Sequence, residues 1–276
     1  MNMDKQFWLD IRENKYAFPT DHDLIALTDE LFTYLSSVDP ELRDGIGYEV
    51  FANWIETEPY SANALRDYLA RLLENLNVGL GERDTDTVFR RAFSILFLAE
   101  VIHRDNQKPF LESAEVNDAL ARVLTYLAAE RDPRGYVPVK GWAHALAHTA
   151  DALMAFALSP HVDSAGLMRI LNAITEKMRA SIDWIYVHGE DGRLARTVVT
   201  TLARDALSTE EVQAWSESLT SDWKGAWQDE ARTRAYFNTR NLLRAIHLSV
   251  LSATELPRKD ELSAIFLDAV IAMRPF

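Results

Sequence analysis

The sequence contains no cysteine, little glycine or proline, and no long hydrophobic run. Without cysteine, disulfides, thiolate zinc sites and cysteine nucleophiles are excluded. With 10 glycines and 9 prolines in 276 residues, no flexible linker marks a domain boundary, and we expect one continuous unit over residues 1–276. No segment approaches the roughly 18 apolar residues of a membrane span, and the N-terminus lacks a signal-peptide core. We therefore expect a cytoplasmic protein.

Basic residues are outnumbered, with 29 Lys and Arg against 42 Asp and Glu, and the formal net charge is −13. Such an acidic chain is a poor match for nucleic acid or for an anionic membrane surface. Hydrophobic residues make up 48% of the sequence, which is enough for a large packed core. We therefore expect no nucleic acid and no membrane as the partner, and the polar stripes described below favour a peptide or a small polar ligand instead.

Helical periodicity runs along the whole chain, and no alternating pattern predicts a strand. Asp39 before Pro40 is typical of a helix start, Ser61, Ser113 and Asp163 are further candidate caps, and Ser208 with Glu211 forms a capping box. We predict an all-α protein with at least about 60% helix. The predicted helices lie near residues 4–14, 21–36, 40–57, 61–77, 86–103, 113–131, 142–158, 163–181, 192–206, 208–221, 229–252 and 257–273.

Short connections between these helices favour antiparallel hairpins. Alternate helices carry polar stripes, and they recur about every 40 to 55 residues, a spacing typical of HEAT-like repeats. We predict a right-handed α/α superhelix of about six hairpins, HEAT- or armadillo-like, in which alternate helices line a concave groove. A closed α/α toroid would give a similar pattern, and the sequence leaves both open.

Ligand-capable side chains recur at helical spacing in an alanine-rich segment near the middle of the chain. At about 100° per residue, His148 lies about 40° and Asp151 about 20° from His144 on a helix. Trp142 and Leu146 fall on the opposite face. Buried imidazole and carboxylate groups are costly unless they are paired or used, so this stripe predicts a functional site.

Two chemical uses of this stripe stay open. His144 and His148 have the spacing at which two imidazoles can bind one zinc ion. Asp151 lies about 10 Å along the axis from His144 and fits better as the acceptor that orients His148. A metal site would need a third ligand from elsewhere, with Glu49, Asp44 and His188 as candidates. We therefore expect no cofactor, with zinc or another divalent metal as the alternative.

The leading functional hypothesis is a scaffold that binds its ligand in a groove centred on His144, His148 and Asp151. Further candidate contacts are Lys140, just before the central motif at the mouth of the groove, and five residues on the polar stripes, namely Glu49, Asn53, Arg91, Arg196 and Asn241. Arginines on the later helices are expected to favour anions, namely Arg193, Arg196, Arg204, Arg234 and Arg244.

Two other hypotheses stay open beside this scaffold. One is a hydrolase-type enzyme that uses His148 as acid or base with Asp151, possibly with a metal. The other is a purely structural role. No nucleophile elbow, phosphate-binding loop, dinucleotide fingerprint or H-E-x-x-H motif is present to decide between them.

Two segments carry a resemblance to a known family. Residues 132–151, DPRGYVPVKGWAHALAHTAD, and residues 236–244, YFNTRNLLR, resemble the bacterial family called domain of unknown function 2785. The resemblance is expected to extend over nearly the whole chain. It implies an all-helical, single-domain bacterial protein and brings no established activity.

Overall fold

The structure is a computed structural model that describes residues 3–274, and helices make up 68% of the chain. The prediction of an all-α protein is confirmed. The helices are α1 (Lys5–Glu13), α2 (Leu24–Tyr34), α3 (Glu49–Thr57), α4 (Ala62–Asn75), α5 (Thr87–Gln107), α6 (Ser113–Ala129), α7 (Ala145–Leu158), α8 (Ser164–Arg179), α9 (Glu190–Ala203), α10 (Thr209–Thr220), α11 (Glu230–Ser252) and α12 (Lys259–Ala272). A 3-10 turn (Ala226–Gln228) precedes α11. No helix within residues 3–274 is long and apolar enough to cross a membrane.

Three of the expected side-chain caps are confirmed. Ser61 and Asp163 accept hydrogen bonds from the backbone three residues ahead and start α4 and α8. Ser208 and Glu211 form the predicted capping box at the start of α10. The cap of α6 is Glu112 rather than Ser113, because Glu112 and Glu115 form their own capping box.

The helix predicted over residues 40–57 has two parts. A π-helix (Glu41–Tyr48) leads directly into α3, and Asp39 accepts a hydrogen bond from Glu41 N at 2.9 Å. A π-helix of this length is rare, and π-helical turns are frequent at functional sites. Gly47 lets this wide turn pack closely, since an added Cβ would lie 3.1 Å from the Leu42 carbonyl oxygen.

A short antiparallel hairpin replaces the helix start that was expected at residue 142. Strand β1 (Tyr136–Val137) pairs with β2 (Gly141–Trp142), in the register Tyr136 to Trp142 and Val137 to Gly141. Gly141 has φ +75, and an added Cβ would lie 2.7 Å from Pro40 Cβ. Two-residue strands are too short to give an alternating sequence signal, so the periodicity could not show them.

The chain groups into two compact units, unit 1 (Met1–Ala155) and unit 2 (Phe156–Phe276). The boundary lies inside α7 rather than in a loop, so no linker composition marks it in the sequence. In unit 1, α5 packs against α3 and α4, and α4 packs against α6. In unit 2, α11 packs against α8, α9 and α12, while α10 packs against α8 and α12.

The core of unit 1 contains a buried ion pair. Arg91 on α5 is fully buried and donates two hydrogen bonds to Glu130, at 2.6 and 3.0 Å. Its remaining amino group donates to the carbonyl oxygens of Val78 and Gly79, at 2.9 and 2.8 Å. Arg91, expected among the ligand contacts, therefore cannot reach a solvent-exposed groove, because every hydrogen bond it donates stays inside the fold.

We expect Glu130→Ala to lower the free energy of unfolding by about 3–5 kcal/mol, because it leaves the Arg91 charge buried without its counterion. Urea denaturation measures this change. The matched control is Glu74→Ala, which removes an exposed partner of Arg122 and should cost less than about 1 kcal/mol. Equal costs for the two variants would show that burial of the pair has no energetic consequence.

Candidate functional site

The two histidines of the central motif lie at the start of α7. His144 is the residue before the helix and has φ +52, and its carbonyl oxygen accepts the hydrogen bond from His148 N at 2.9 Å. Both imidazoles are buried, with 6% and 4% of their surface exposed. Asp151 follows one turn later and is half-buried. The motif therefore combines a loop and a helix, whereas the sequence predicted one continuous helix.

A line of rings leads from the surface into this segment. Trp142 stacks on His144, with ring centroids 4.3 Å apart, and His144 meets His148 edge-on at 5.8 Å. Tyr136 contacts Trp142 at 5.0 Å, and both of these rings are partly exposed. Trp142 was expected on the face opposite His144. That prediction is wrong, because residues 142–144 are not helical.

The tautomer of His148 follows from its partner. Nδ1 of His148 donates to the carbonyl oxygen of Ala92 on α5 at 2.9 Å, and the ring meets Phe93 edge-on. A carbonyl oxygen only accepts, so Nδ1 carries a proton in this contact, and in a neutral ring Nε2 would be the acceptor. The α5 backbone thus orients this imidazole through Nδ1, a role that the sequence assigned to Asp151.

Arg43 of the π-helix holds the hairpin in place. Its guanidinium donates to the carbonyl oxygens of Lys140 and Trp142, at 2.6 and 3.1 Å. It also lies over the rings of Phe89 and Phe93, 4.1 and 4.8 Å from their centroids. Burial lowers the pKa of Arg43 to about 10. Backbone carbonyls and aromatic faces surround this cation and fix the residues that precede His144.

Within reach of the Asp151 charge lies a carboxyl group that sequence reasoning missed. Glu100 on α5 accepts a hydrogen bond from the Tyr48 hydroxyl at 2.9 Å. Burial raises the pKa of Glu100, and the charges of Glu56 and Asp151 act in the same direction, against the Tyr48 hydrogen bond and His103. We call Tyr48, Glu56, Glu100, His103 and Asp151 the Glu100 cluster. A sequence signal existed, since Glu100 is the one carboxylate in the apolar stretch 88–104.

The other predicted contacts of unit 1 are engaged elsewhere. Glu49 accepts a hydrogen bond from the Tyr16 hydroxyl at 2.7 Å, and Asn53 is exposed and donates to the Glu49 backbone. Lys140 forms an ion pair with Asp86 at 2.7 Å. These contacts join none of the three residues to the histidines, although all were expected around one groove.

Predicted contacts in unit 2 divide into structural and surface residues. Arg204 donates to the carbonyl oxygens that end α7 and begin the next loop, and Arg234 pairs with Glu230 and Asp183. Arg196 and Arg244 are exposed, while Asn241 and Arg193 are half-buried. The preference for anions along these helices stays a prediction, and it no longer rests on Arg204 or Arg234.

No third metal ligand joins the two histidines in residues 3–274, where no group of three or more His, Asp or Glu is arranged to hold an ion. Of the candidates, Glu49 binds Tyr16, and His188 donates its backbone N–H to Glu190 at 2.8 Å. The divalent-metal alternative therefore stays a prediction that the described geometry does not support.

The family model for a protein of unknown function, DUF2785, matches residues 76–248. The chain belongs to this family. The match contains both segments that carried the resemblance and is shorter than the nearly full-length agreement expected from them. No curated protein and no solved structure matches the chain. DUF2785 has no activity to transfer, so the functional argument depends on the geometry of the site.

We expect Glu100→Gln to stabilise the protein at neutral pH. The pKa of Glu100 is raised by folding, so its ionisation opposes the folded state. This penalty is absent below the ordinary value of 4.5, grows as the pH rises from there to the higher pKa of the folded protein, and is constant above it. Urea denaturation of wild type and variant, at a pH below 4.5 and at neutral pH, measures the difference. A difference that does not change with pH contradicts the assignment, and Glu255→Gln, at an exposed acid of unit 2, is the control.

We expect His144→Ala with His148→Ala to lower the free energy of unfolding by roughly 1–3 kcal/mol for each buried partner left unsatisfied. The loss should be the same with and without a chelator, because the two imidazoles act through hydrogen bonds and ring packing. Metal analysis of the purified wild type is the companion measurement. About one equivalent of zinc that survives dialysis, together with chelator sensitivity, would establish the metal alternative instead.

Proposed function

We propose that this DUF2785 protein binds a small polar ligand, or a polar peptide group, that carries a positive charge at the Glu100 cluster. One observation carries the proposal: Glu100 is a desolvated carboxyl with a raised pKa, held by a tyrosine hydroxyl beside two further carboxylates. Buried ionisable groups that lower the stability of the folded state are concentrated at binding and catalytic sites. The geometry supports the expected scaffold and moves its centre from the histidines toward α5.

A cationic ligand fits the charges of the cluster. The charges of Glu56 and Asp151 raise the pKa of Glu100, and the imidazole of His103, which lies 3.6 Å from Glu56, acts against them. A bound ammonium or guanidinium would favour the ionised form of Glu100 and remove the mutual repulsion of the carboxylates. The partly exposed Trp142 begins a line of rings that ends one turn before Asp151, and its face suits a cation or an apolar stem.

Acid or base catalysis is the second candidate function. A carboxyl group with a raised pKa beside a tyrosine hydroxyl is the type of group that transfers protons near neutral pH. His148, with its proton held on Nδ1, has Nε2 as the basic nitrogen of its neutral ring. Turnover of a substrate would be needed to favour a hydrolase-type enzyme, because no nucleophile motif accompanies these groups.

The HEAT-like repeat belongs to this proposal as well. Within unit 1, α3 packs on α5, and within unit 2, α9 packs on α11 and α10 on α12. Contact between alternate helices is expected when hairpins stack side by side. A bacterial source and a cytoplasmic location stay predictions.

Thermal denaturation with candidate ligands tests the proposal. We expect at least one of choline, ethanolamine, arginine and spermidine to raise the Tm, whereas acetate, phosphate and glucose have no effect. A ligand at 100 times its Kd stabilises the folded state by about 2.7 kcal/mol. The shift should grow as the pH rises through the pKa of Glu100, because the ionised carboxylate binds the cation.

Variants separate this site from general electrostatic binding. Glu100→Gln and Asp151→Asn should abolish the ligand-induced shift, while Glu255→Gln, at an exposed acid of unit 2, should preserve it. Shifts caused only by the anions or by glucose would contradict a cationic ligand, and so would a shift that survives Glu100→Gln. Hydrolysis of an ester or amide that is lost in His148→Ala would favour the enzyme instead.

A further inference from the structure

A groove runs between α10 and α12 of unit 2 and encloses about 410 Å³. The residues that line it recur every three or four positions along each helix. They include Gln213, Ser216 and Glu217 on α10, and Glu261, Ile265 and Asp268 on α12. The two helices run in the same direction, since Thr209 contacts Glu261 near the start of both. The groove therefore extends along the helices rather than forming a compact pocket.

The dimensions of the groove suit a helix. The walls, α10 and α12, have 12 and 14 residues. At 1.5 Å per residue they are about 18 and 21 Å long, which matches three to four turns of a bound helix. Small side chains line the floor, where Ser216 and Ala269 are buried above the contact between Trp215 and Phe266. Such residues let a partner helix approach closely.

The charged residues that line the groove are all acidic. Three carboxylates line it, those of Glu217, Glu261 and Asp268, and no lysine or arginine does. Glu261 accepts a hydrogen bond from Thr209, and Glu217 accepts one from Gln213 at 3.1 Å. Within residues 3–274, none of the three carboxylates forms an ion pair with Lys, Arg or His. A partner with positive charge would supply the missing counterions.

We propose that this groove binds an amphipathic basic helix of a partner protein, with lysines or arginines beside a row of small apolar residues. The apolar row would lie on Ile265 and Ala269, and the basic residues would reach the carboxylates of both walls. Docking of a helix into a groove between two helices is a recurrent mode of peptide recognition. The proposal does not depend on the Glu100 cluster, which belongs to unit 1.

Fluorescence anisotropy on the full chain tests the proposal with a labelled helical peptide of about 18 residues composed of Lys, Leu and Ala, about 27 Å long. We expect binding that weakens with salt, and no binding of a matched peptide with Glu in place of each Lys. Two internal prolines prevent helix formation and should abolish binding. Failure of the Lys peptide to bind would overturn the proposal, and equal affinity of the proline peptide would exclude recognition of a helix.

Variants locate the binding surface. Glu217→Lys with Asp268→Lys should weaken binding at least about tenfold, or 1.4 kcal/mol. Glu255→Lys with Asp260→Lys changes the net charge equally outside the groove and should leave the affinity unchanged. Ala264→Trp fills the groove from an exposed position, so the chain should fold and binding should be lost. Equal losses in the two charge variants, or full binding by Ala264→Trp, would overturn the proposal, and circular dichroism verifies folding.

Discussion

The arrangement of the candidate site depends on the buried guanidinium of Arg43. It lies in the π-helix, donates to the backbone of residues 140 and 142, and sits over two phenylalanine rings of α5. These contacts join three segments that are far apart in sequence. Because backbone carbonyl oxygens accept the hydrogen bonds of Arg43, its position requires those of the hairpin to stay where they are. The hairpin in turn determines where Trp142 and His144 lie.

Local backbone geometry makes this contact possible. Gly141 has a positive φ and lies so close to Pro40 that any side chain would collide with it. Asp132 is buried and binds both the backbone and the guanidinium of Arg134, which stiffens the segment before the hairpin. Residues 132–144, which begin the first segment of the family resemblance, therefore build one rigid loop. The contacts of these residues serve first to stabilise the loop.

The helices could be predicted from sequence because burial of one face repeats every 3.6 residues and because capping side chains mark the ends. The hairpin and the π-helix could not, since neither leaves a periodic signal. A similar lack of a local signal explains two wrong predictions at the site. Trp142 was placed by extending helical angles into a loop, and Arg91 was taken for a surface residue although Glu130, 39 residues away, neutralises it in the core.

The contrast between Arg91 and Glu100 shows what separates a structural charge from a candidate functional one. Both lie on α5 among apolar residues, and both lose hydration on folding. Arg91 receives a full set of acceptors, two carboxylate oxygens and two carbonyl oxygens, so its charge is satisfied within the fold. Glu100 receives one tyrosine hydroxyl, lies near one imidazole and two repelling carboxylates, and its pKa is raised. A cation bound from outside would supply for Glu100 what Glu130 supplies for Arg91, and this asymmetry makes α5 the centre of the proposed site.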